Sequence, residues 1–440
     1  MTTLKYLRYG LSSALIAAAM MSSSAVMAQD VNADHVATAE SIFADSKFEA
    51  AVEHLHANYD RQIEEFVELV EIPSGPFMEA EISARYAEML EDAGLENVHV
   101  DEEGNAIGEW RGTNSDGEYL VVSAHLDTVF PEGTDVTVNW QGTEAHAPGV
   151  GDDTMSLAIL LAYVRAMNDA GIQTEKDILF VGTVGEEGPG DLRGVRYLFT
   201  EGEYKDNISG FFSVEGGTAG RLTAGGTGSL RYRVTYEGPG GHSFGAFGTV
   251  NPAYALANFM TAFSQIEVPS DPKTTHSVGI LDGGTSVNSI PFSVSADIDM
   301  RSNDPDELAA LHEQFLAIVD EAAAAENARA STDNGEIVAN LELIGDRPAG
   351  QTDRASDLFE ITKAGYVAAG LEVGEPGTSS TDSNMPMSLG IPALTIGANS
   401  GVGGRSHSLD EWLDTDIELT IPPMRATLAV ILANAGYVAE

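Results

Sequence analysis

Apolar residues recur along this chain in two rhythms. From Tyr59 to Val70 the spacing is helical, with Phe66, Val67 and Val70 on one side, and Ile82 to Ala93 repeats it up to a stop at Gly94. Leu120 to Ser123 is instead a short unbroken apolar run, the mark of a buried strand, and it delivers His125. Thr154 to Ala170 is predicted to be a helix, with Leu157, Leu160, Leu161 and Val164 as its stripe and Gly171 as its stop. Ile178 to Val184 and Gly210 to Val214 are predicted strands that run into Glu186 and Glu215. Strands alternating with helices predict the α/β class, with a mostly parallel sheet and helices on both faces. Residues 29–55, polar and alanine-rich, read as a mobile lead followed by a helix.

The rhythm changes near residue 228. Ser229 to Tyr236 alternates as a half-buried strand, Asn251 to Gln265 is helical with Pro252 at its first position, and His276 to Leu281 and Val294 to Arg301 are strands. A helix over Asp306 to Ala325 and a strand over Ile337 to Leu343 complete a β-α-β-β-α-β order, which predicts an inserted ferredoxin-like α+β unit. The α/β pattern then returns with a helix over Ala355 to Ala369, a strand over Ala393 to Ile396 and a helix over Ile421 to Ala435. The expected organisation is a leader at 1–28, a catalytic domain in two parts (29–227 and 346–440), and an inserted lid or dimerisation domain at 228–345.

Charge and the first residues add context. Lys5 and Arg8, the apolar stretch Leu11 to Met21 and the small residues of Val26-Met27-Ala28 form a secretory signal pattern, so a periplasmic or secreted protein is expected. With 68 acidic against 22 basic residues the net charge is −46, a surface that repels nucleic acid and anionic membranes. There is no cysteine, which excludes disulfides.

The candidate chemistry lies where predicted strands end. His125 and Asp127 form H-x-D, in which residues two apart on an extended segment point the same way, so that Asp127 can hold the second ring nitrogen of His125 or back a metal site; a lone H-x-D also serves purely structural ends. Asp152-Asp153 follows Gly149 and Gly151 and precedes a helix, whose N-terminus Asp153 is expected to cap. Glu186-Glu187, between Gly185 and Gly188, would repel if buried without a cation. A metal resolves this by taking one as ligand and leaving the other to handle a proton, whereas an exposed acidic turn is the plain alternative. With Glu215 and His407, in G-G-R-S-H-S-L-D-E-W, the set offers two imidazoles and three carboxylates, enough for two divalent ions with one carboxylate shared.

In this order the segments resemble the dizinc exopeptidase and amidohydrolase family, which includes glutamate carboxypeptidase, aminoacylase, acetylornithine deacetylase, succinyl-diaminopimelate desuccinylase and the dizinc tripeptidases. The resemblance covers about residues 55–440. It implies two Zn2+ per subunit, with Co2+ or Mn2+ as possible substitutes. His125 and Glu215 would bind one ion, Glu187 and His407 the other, and Asp152 would bridge them. Asp127 would orient His125, Glu186 would be the general base and acid, and the Asp152–Asp153 peptide would be cis.

In the insert, G-G-H-S with His242, the stretch carrying Asn288, and D-I-D-M-R with Arg301 look like the family's substrate-facing lid residues, and G-T-S-S-T-D-S-N with Gly377 and Thr378 looks like its substrate cradle. His242 would stabilise the oxyanion; Arg301 suits a substrate carboxylate or, equally, an ordinary salt bridge. Thr154 departs from the lysine common in the family. The expected protein is a homodimeric metallopeptidase or N-acyl-amino-acid amidohydrolase acting on short peptides or N-acyl amino acids. The alternative, a non-catalytic periplasmic binding protein on the same fold, is disfavoured because Glu186 and every ligand are present.

Overall fold

A computed structural model describes residues 31–114 and 117–439; the export signal read at residues 1–28 lies outside them. Within 31–55, where a mobile lead followed by a helix was expected, two helices take up nearly all of the described residues. α1 (Ala33–Ala44) and α2 (Ser46–Ala57) are capped by Asn32 and Asp45, whose side chains accept the N–H of Asp34 and Lys47. They bury Ala39, Ile42, Phe48 and Leu55, an apolar stripe sufficient to dock them on the main body. α3 (Tyr59–Val70) and α4 (Ala80–Ala93) follow, and α4 stops where Gly94 takes φ 100°.

The strands of the main sheet are β1 (Glu96–Val100), β2 (Ala106–Trp110), β3 (Tyr119–His125), β4 (Asp177–Thr183), β5 (Ile208–Glu215) and β6 (Leu222–Gly226). Between β3 and β5 come α5 (Met155–Asp169) and α6 (Arg193–Thr200). The inserted segment supplies β7 (Gly228–Glu237), α7 (Pro252–Phe263), β8 (Thr274–Gly283), β9 (Ser293–Ser302), α8 (Pro305–Arg329) and β10 (Val338–Arg347). The chain then returns with β11 (Gly350–Gln351), α9 (Asp357–Ala368), β12 (Gly377–Ser379), α10 (Asn384–Ser388), β13 (Ala393–Gly397) and α11 (Ile417–Asn434).

The main sheet runs β1-β2-β4-β3-β5-β13-β6-β11, with β12 also paired to β6. It is mixed rather than mostly parallel. The central strands β4, β3, β5 and β13 are mutually parallel, while β2 against β4 and β6 against β13 are antiparallel. The central strands are covered on both faces, which explains their unbroken apolar runs. Leu120 and Val122 of β3, with Ile178 and Phe180 of β4, face the large core under α1–α5, α9 and α11. Val121, Leu179 and Val181 face the smaller core under α6 and α10. Burial of each such side chain contributes roughly 1.5–3 kcal/mol relative to exposure.

The insert forms its own antiparallel sheet, β8-β9-β7-β10, the ferredoxin-like order expected of its element sequence. α7 and α8 cover one face, closing a separate core around Phe259, Phe263 and Phe315. Asn251 and Asp304 cap these helices, each followed by proline at the first helical position. No helix among the described residues is long and apolar enough to cross a membrane.

Candidate metal centre

The parallel strands bring their carboxyl ends to one edge, where an open α/β sheet places its chemistry. β3 ends on His125, which lies opposite Thr183, the last residue of β4. β4 continues through Val184 and Gly185 to Glu186 and Glu187. Gly185 is required there, since its φ is +69° and a Cβ would sit 2.6 Å from the Arg193 side chain. β5 ends on Glu215, opposite Gly397 of β13. Asp152 arrives on the loop before α5, joined to Asp153 by a cis peptide. His407 comes from the tip of a hairpin between Gly403–Gly404 and Trp412–Asp414, part of a small sheet with Glu144–His146 and Asn139–Gln141. His407 and Arg405 both adopt positive φ, 64° and 67°, a conformation non-glycine residues rarely hold outside functional loops.

Asp152 is the centre of this group. Its Oδ1 lies 3.1 Å from Nε2 of His125 and its Oδ2 lies 3.3 Å from Nε2 of His407. His407 Nε2 is also 2.7 Å from Glu187 Oε1. Ligand atoms of His125, Asp152 and Glu187 all fall within 4.8 Å of one another. Glu215 is half-buried, accepts the Ser213 hydroxyl at 2.9 Å, and borders the same cavity as Asp152.

The tautomer of His125 suits a ligand. Its Nδ1 sits 2.9 Å from the main-chain oxygen of Asp127, which can only accept, so Nδ1 carries a hydrogen, and Nε2, which donates to Asp152 at 3.1 Å, is the nitrogen left to bind a cation once it gives up its proton. The Asp127 carboxylate does a different job from the one expected. It is 3.8 Å from the imidazole, and its two oxygens accept the N–H groups of Glu186 and Glu187 at 2.9 and 2.8 Å. Asp127 thus orients His125 through its carbonyl and fixes the glutamate pair through its side chain. Asp153 does not cap the following helix, which has no side-chain cap. Its backbone is non-helical, and its buried carboxylate accepts the His125 N–H at 3.2 Å.

Three buried residues not singled out by the sequence reading complete the site. Arg347, the last residue of β10, places Nη1 3.4 Å from Glu186 Oε1 and donates from Nη2 to the Glu186 carbonyl. Glu411, on the His407 hairpin, accepts the N–H groups of Gly149, Gly151 and Asp152 at 3.0, 2.8 and 3.1 Å, tying that hairpin to the Asp152 loop. Asp382 accepts the Thr183 hydroxyl at 2.5 Å behind β4. Glu411 and Asp382 stand in the very motifs that carry His407 and the substrate-cradle loop, but nothing in the spacing of those motifs marks them.

The donor set fits divalent cations. Burial pushes Glu186 and Glu187 above the ordinary carboxylate range, and Glu215 up to about 8. Burial also lifts Asp382 to about 6 and Glu411 to about 7. Asp153 Oδ1 and Asp382 Oδ1 are buried with no hydrogen-bond partner. Burial opposes charge on Asp152 too, but hydrogen bonds from both imidazoles hold it well below the usual range. Burial opposes charge on His125, yet its bond to Asp152 and the surrounding carboxylates carry it well upward, and the bond to Asp152 raises His407 to about 9. Such crowding of oxygen and imidazole donors is the environment a hard or borderline cation relieves.

The insert residues lie elsewhere. His242 is exposed, and its Nδ1 accepts the N–H groups of Phe244 and Gly245. Asn288 is brought to it, its carbonyl accepting the Ser243 N–H at 2.9 Å. Arg301 is at the opposite end of β9, roughly 25 Å along the strand from that corner, and ion-pairs with Asp299 at 2.8 Å. Gly377 and Thr378 lie on β12, while Ser379 and Thr381 just beyond them line the cavity that reaches Asp152 and Glu215. Among the described residues lining that cavity, none comes from the insert.

In metal-stripped protein the raised groups act with one sign. Glu215, Asp382, Glu411, His125 and His407 bind protons more tightly folded than unfolded. The stability each contributes is complete below its unfolded pKa and is lost as pH rises through the folded value. Asp152 has the opposite sign, but its window lies in strong acid. The melting temperature of the metal-free protein is therefore expected to fall from about pH 5 to about pH 9, and metal loading to remove most of that slope. A melting temperature that rises across this range contradicts the electrostatics described.

A family model described as peptidase family M20/M25/M40 matches residues 121–434. The chain is 25% identical over 359 residues to the Bacillus subtilis protein YqjE, covering 77% of this chain and 90% of that one. Its fold is similar to that of a Staphylococcus aureus tripeptidase, with a TM-score of 0.69 and 21% identity over 85% of this chain and 98% of the other. It is also similar to Bacillus subtilis YXEP, a dinuclear metal binding peptidase, with a TM-score of 0.63 and 18% identity over 86% and 99%. With the match spanning most of its length, and with imidazoles and carboxylates gathered at the sheet edge, the chain belongs to peptidase family M20/M25/M40.

Proposed function

We propose that the protein is a dizinc hydrolase that cleaves an amide bond in short peptides or N-acyl amino acids. The observation that carries this reading is the position of Asp152, which offers one carboxylate oxygen toward each of two imidazoles. That is the disposition of a carboxylate shared between two cations. His125 and Glu215 would hold one, and Glu187 and His407 the other. When bound, the ions polarise the scissile carbonyl and acidify the attacking water.

The chain's own groups do the rest. Glu186 adjoins the ligand Glu187, is buried, and has a pKa lifted by desolvation, as a carboxylate that must take and return a proton requires. It removes the proton of the attacking water and delivers it to the leaving amine. Arg347 holds the side chain and carbonyl of Glu186, and Asp127 holds the backbone of both glutamates, so the base is fixed relative to its neighbours.

Supply of His242 fits a second copy of the chain. His242 and Asn288 share an exposed corner of the insert, and neither borders the cavity of their own chain. A homodimer formed through the insert would let the partner subunit's His242 reach the site and stabilise the developing oxyanion.

Two results follow. Glu186→Gln is expected to keep both metals and to lose roughly two to four powers of ten in turnover, whereas His407→Ala is expected to lower metal content itself. Elemental analysis with steady-state kinetics separates these, and wild-type turnover in the first or full metal in the second removes that residue from its role. Light scattering is expected to give a dimer at micromolar concentration; a monomer alone leaves no route for His242 in trans.

A further inference from the structure

The described arginines of this acidic chain are almost all engaged. Arg61, Arg85, Arg111, Arg165, Arg193 and Arg196 each pair with a carboxylate, as do Arg231, Arg233, Arg301, Arg329, Arg347, Arg354 and Arg405. Arg425 lies over the rings of Phe43 and Phe48. Arg221 is the exception: among the described residues it has neither an anionic partner nor a ring. Its position gives this meaning. Arg221 lines the cavity of about 390 Å³ whose wall also includes Asp152 and Glu215. The remaining lining is glycine backbone, hydroxyls such as Thr223, Ser379 and Thr395, the amide of Asn399, the apolar Ile396, Leu413 and Trp412, and the Glu411 carboxylate, which is taken up by three backbone N–H groups; no other cation lines it.

In a protein with 68 acidic residues, an exposed arginine left without an ion pair on the wall of the cavity that reaches Asp152 and Glu215 is available to an anion from outside. The guanidinium fork matches a carboxylate through two parallel hydrogen bonds. Arg301, the cation that the sequence offered for this task, is already committed to Asp299 and does not border the cavity. We propose that Arg221 is the specificity-determining residue of the substrate pocket, and that the enzyme selects substrates bearing a carboxylate on the part that enters this cavity. This rests on the hydrolase reading above. The carboxylate can belong to an acidic residue of a peptide or to a dicarboxylic acyl group; the chemistry at Arg221 is the same.

The test uses zinc-loaded full-length protein and pairs differing in one carboxylate: Glu-Ala against Gln-Ala, Ala-Glu against Ala-Gln, and N-succinylalanine against N-butyrylalanine. For at least one pair, kcat/KM for the acid is expected to exceed that for the neutral partner by about tenfold or more, as a charged hydrogen-bonded pair supplies. The pair that shows the preference identifies the source of the carboxylate. Arg221→Ala is expected to bring that ratio close to one, chiefly through KM, and Arg221→Lys to retain part of it. Calorimetric titration of the same acid into Glu186→Gln protein is expected to show the same loss of affinity when Arg221→Ala is added. Cleavage of all pairs without an acid preference, or a preference that survives Arg221→Ala, overturns the role of Arg221 and leaves the hydrolase reading standing. Absence of any cleavage counts against the hydrolase reading instead. Calorimetry on the wild type then decides Arg221, whose role is overturned if the acids bind no tighter than their neutral partners.

Discussion

The structure depends on holding several carboxylates together at one edge of a sheet. Asp153, Glu186, Glu187 and Asp382 are buried there, and Asp152 and Glu215 are half-buried beside them. Each uncompensated buried charge costs several kcal/mol, so the cluster is tolerable only because something opposes it. Two imidazoles, the guanidinium of Arg347 and a set of backbone N–H groups supply part of the compensation. Divalent cations fit the remainder. The rest of the fold can be understood as the means of keeping this arrangement in place. Parallel strands aim their ends at one point, covered on both faces so that they do not shift. A hairpin delivers His407 and is anchored through Glu411 to the loop that carries Asp152.

Among the described residues, hydrogen bonds between the insert and this centre gather at one end of the insert. At the close of β10, Arg347 grips Glu186, the Asp191 carboxylate accepts the Asp346 N–H, and Arg196 donates to the Asp346 carbonyl. The other end, carrying His242 and Asn288, is exposed and surrounded by exposed Phe244, Phe247 and Val287. A displacement of the insert about this junction would therefore reach Arg347 and, through it, Glu186, the proposed base. Such a junction would couple the position of the insert to the geometry of Glu186.

Much of the fold was legible because the hydrophobic pattern was unambiguous. The helix Tyr59–Val70, the strands ending in His125 and Glu215, and the strand that runs on toward Glu186 follow directly from periodicity and from where it breaks. The antiparallel flanks of the sheet were not, because pairing direction leaves no trace in a buried apolar run. α1 and α2 were obscured by alanine, which favours helix but marks no face. Asp153 was expected to cap because it precedes a helix; the demand for a partner at the His125 N–H prevailed. The Asp127 carboxylate was expected on the imidazole, yet a carbonyl served there and freed it for two backbone donors. Arg347 could not be found from spacing, since it sits far from every motif it supports. The arginine pairing that isolates Arg221 likewise exists only in three dimensions.

The proposed centre stands or falls with Asp152 as a carboxylate shared by two cations. Anomalous diffraction from crystals of the zinc-loaded protein, recorded on either side of the zinc edge, tests it most directly. Two peaks about 3.5–4 Å apart are expected, one beside His125 and Glu215, the other beside Glu187 and His407, with an oxygen of Asp152 directed at each. A single peak, or two peaks that leave Asp152 uncoordinated, would contradict it.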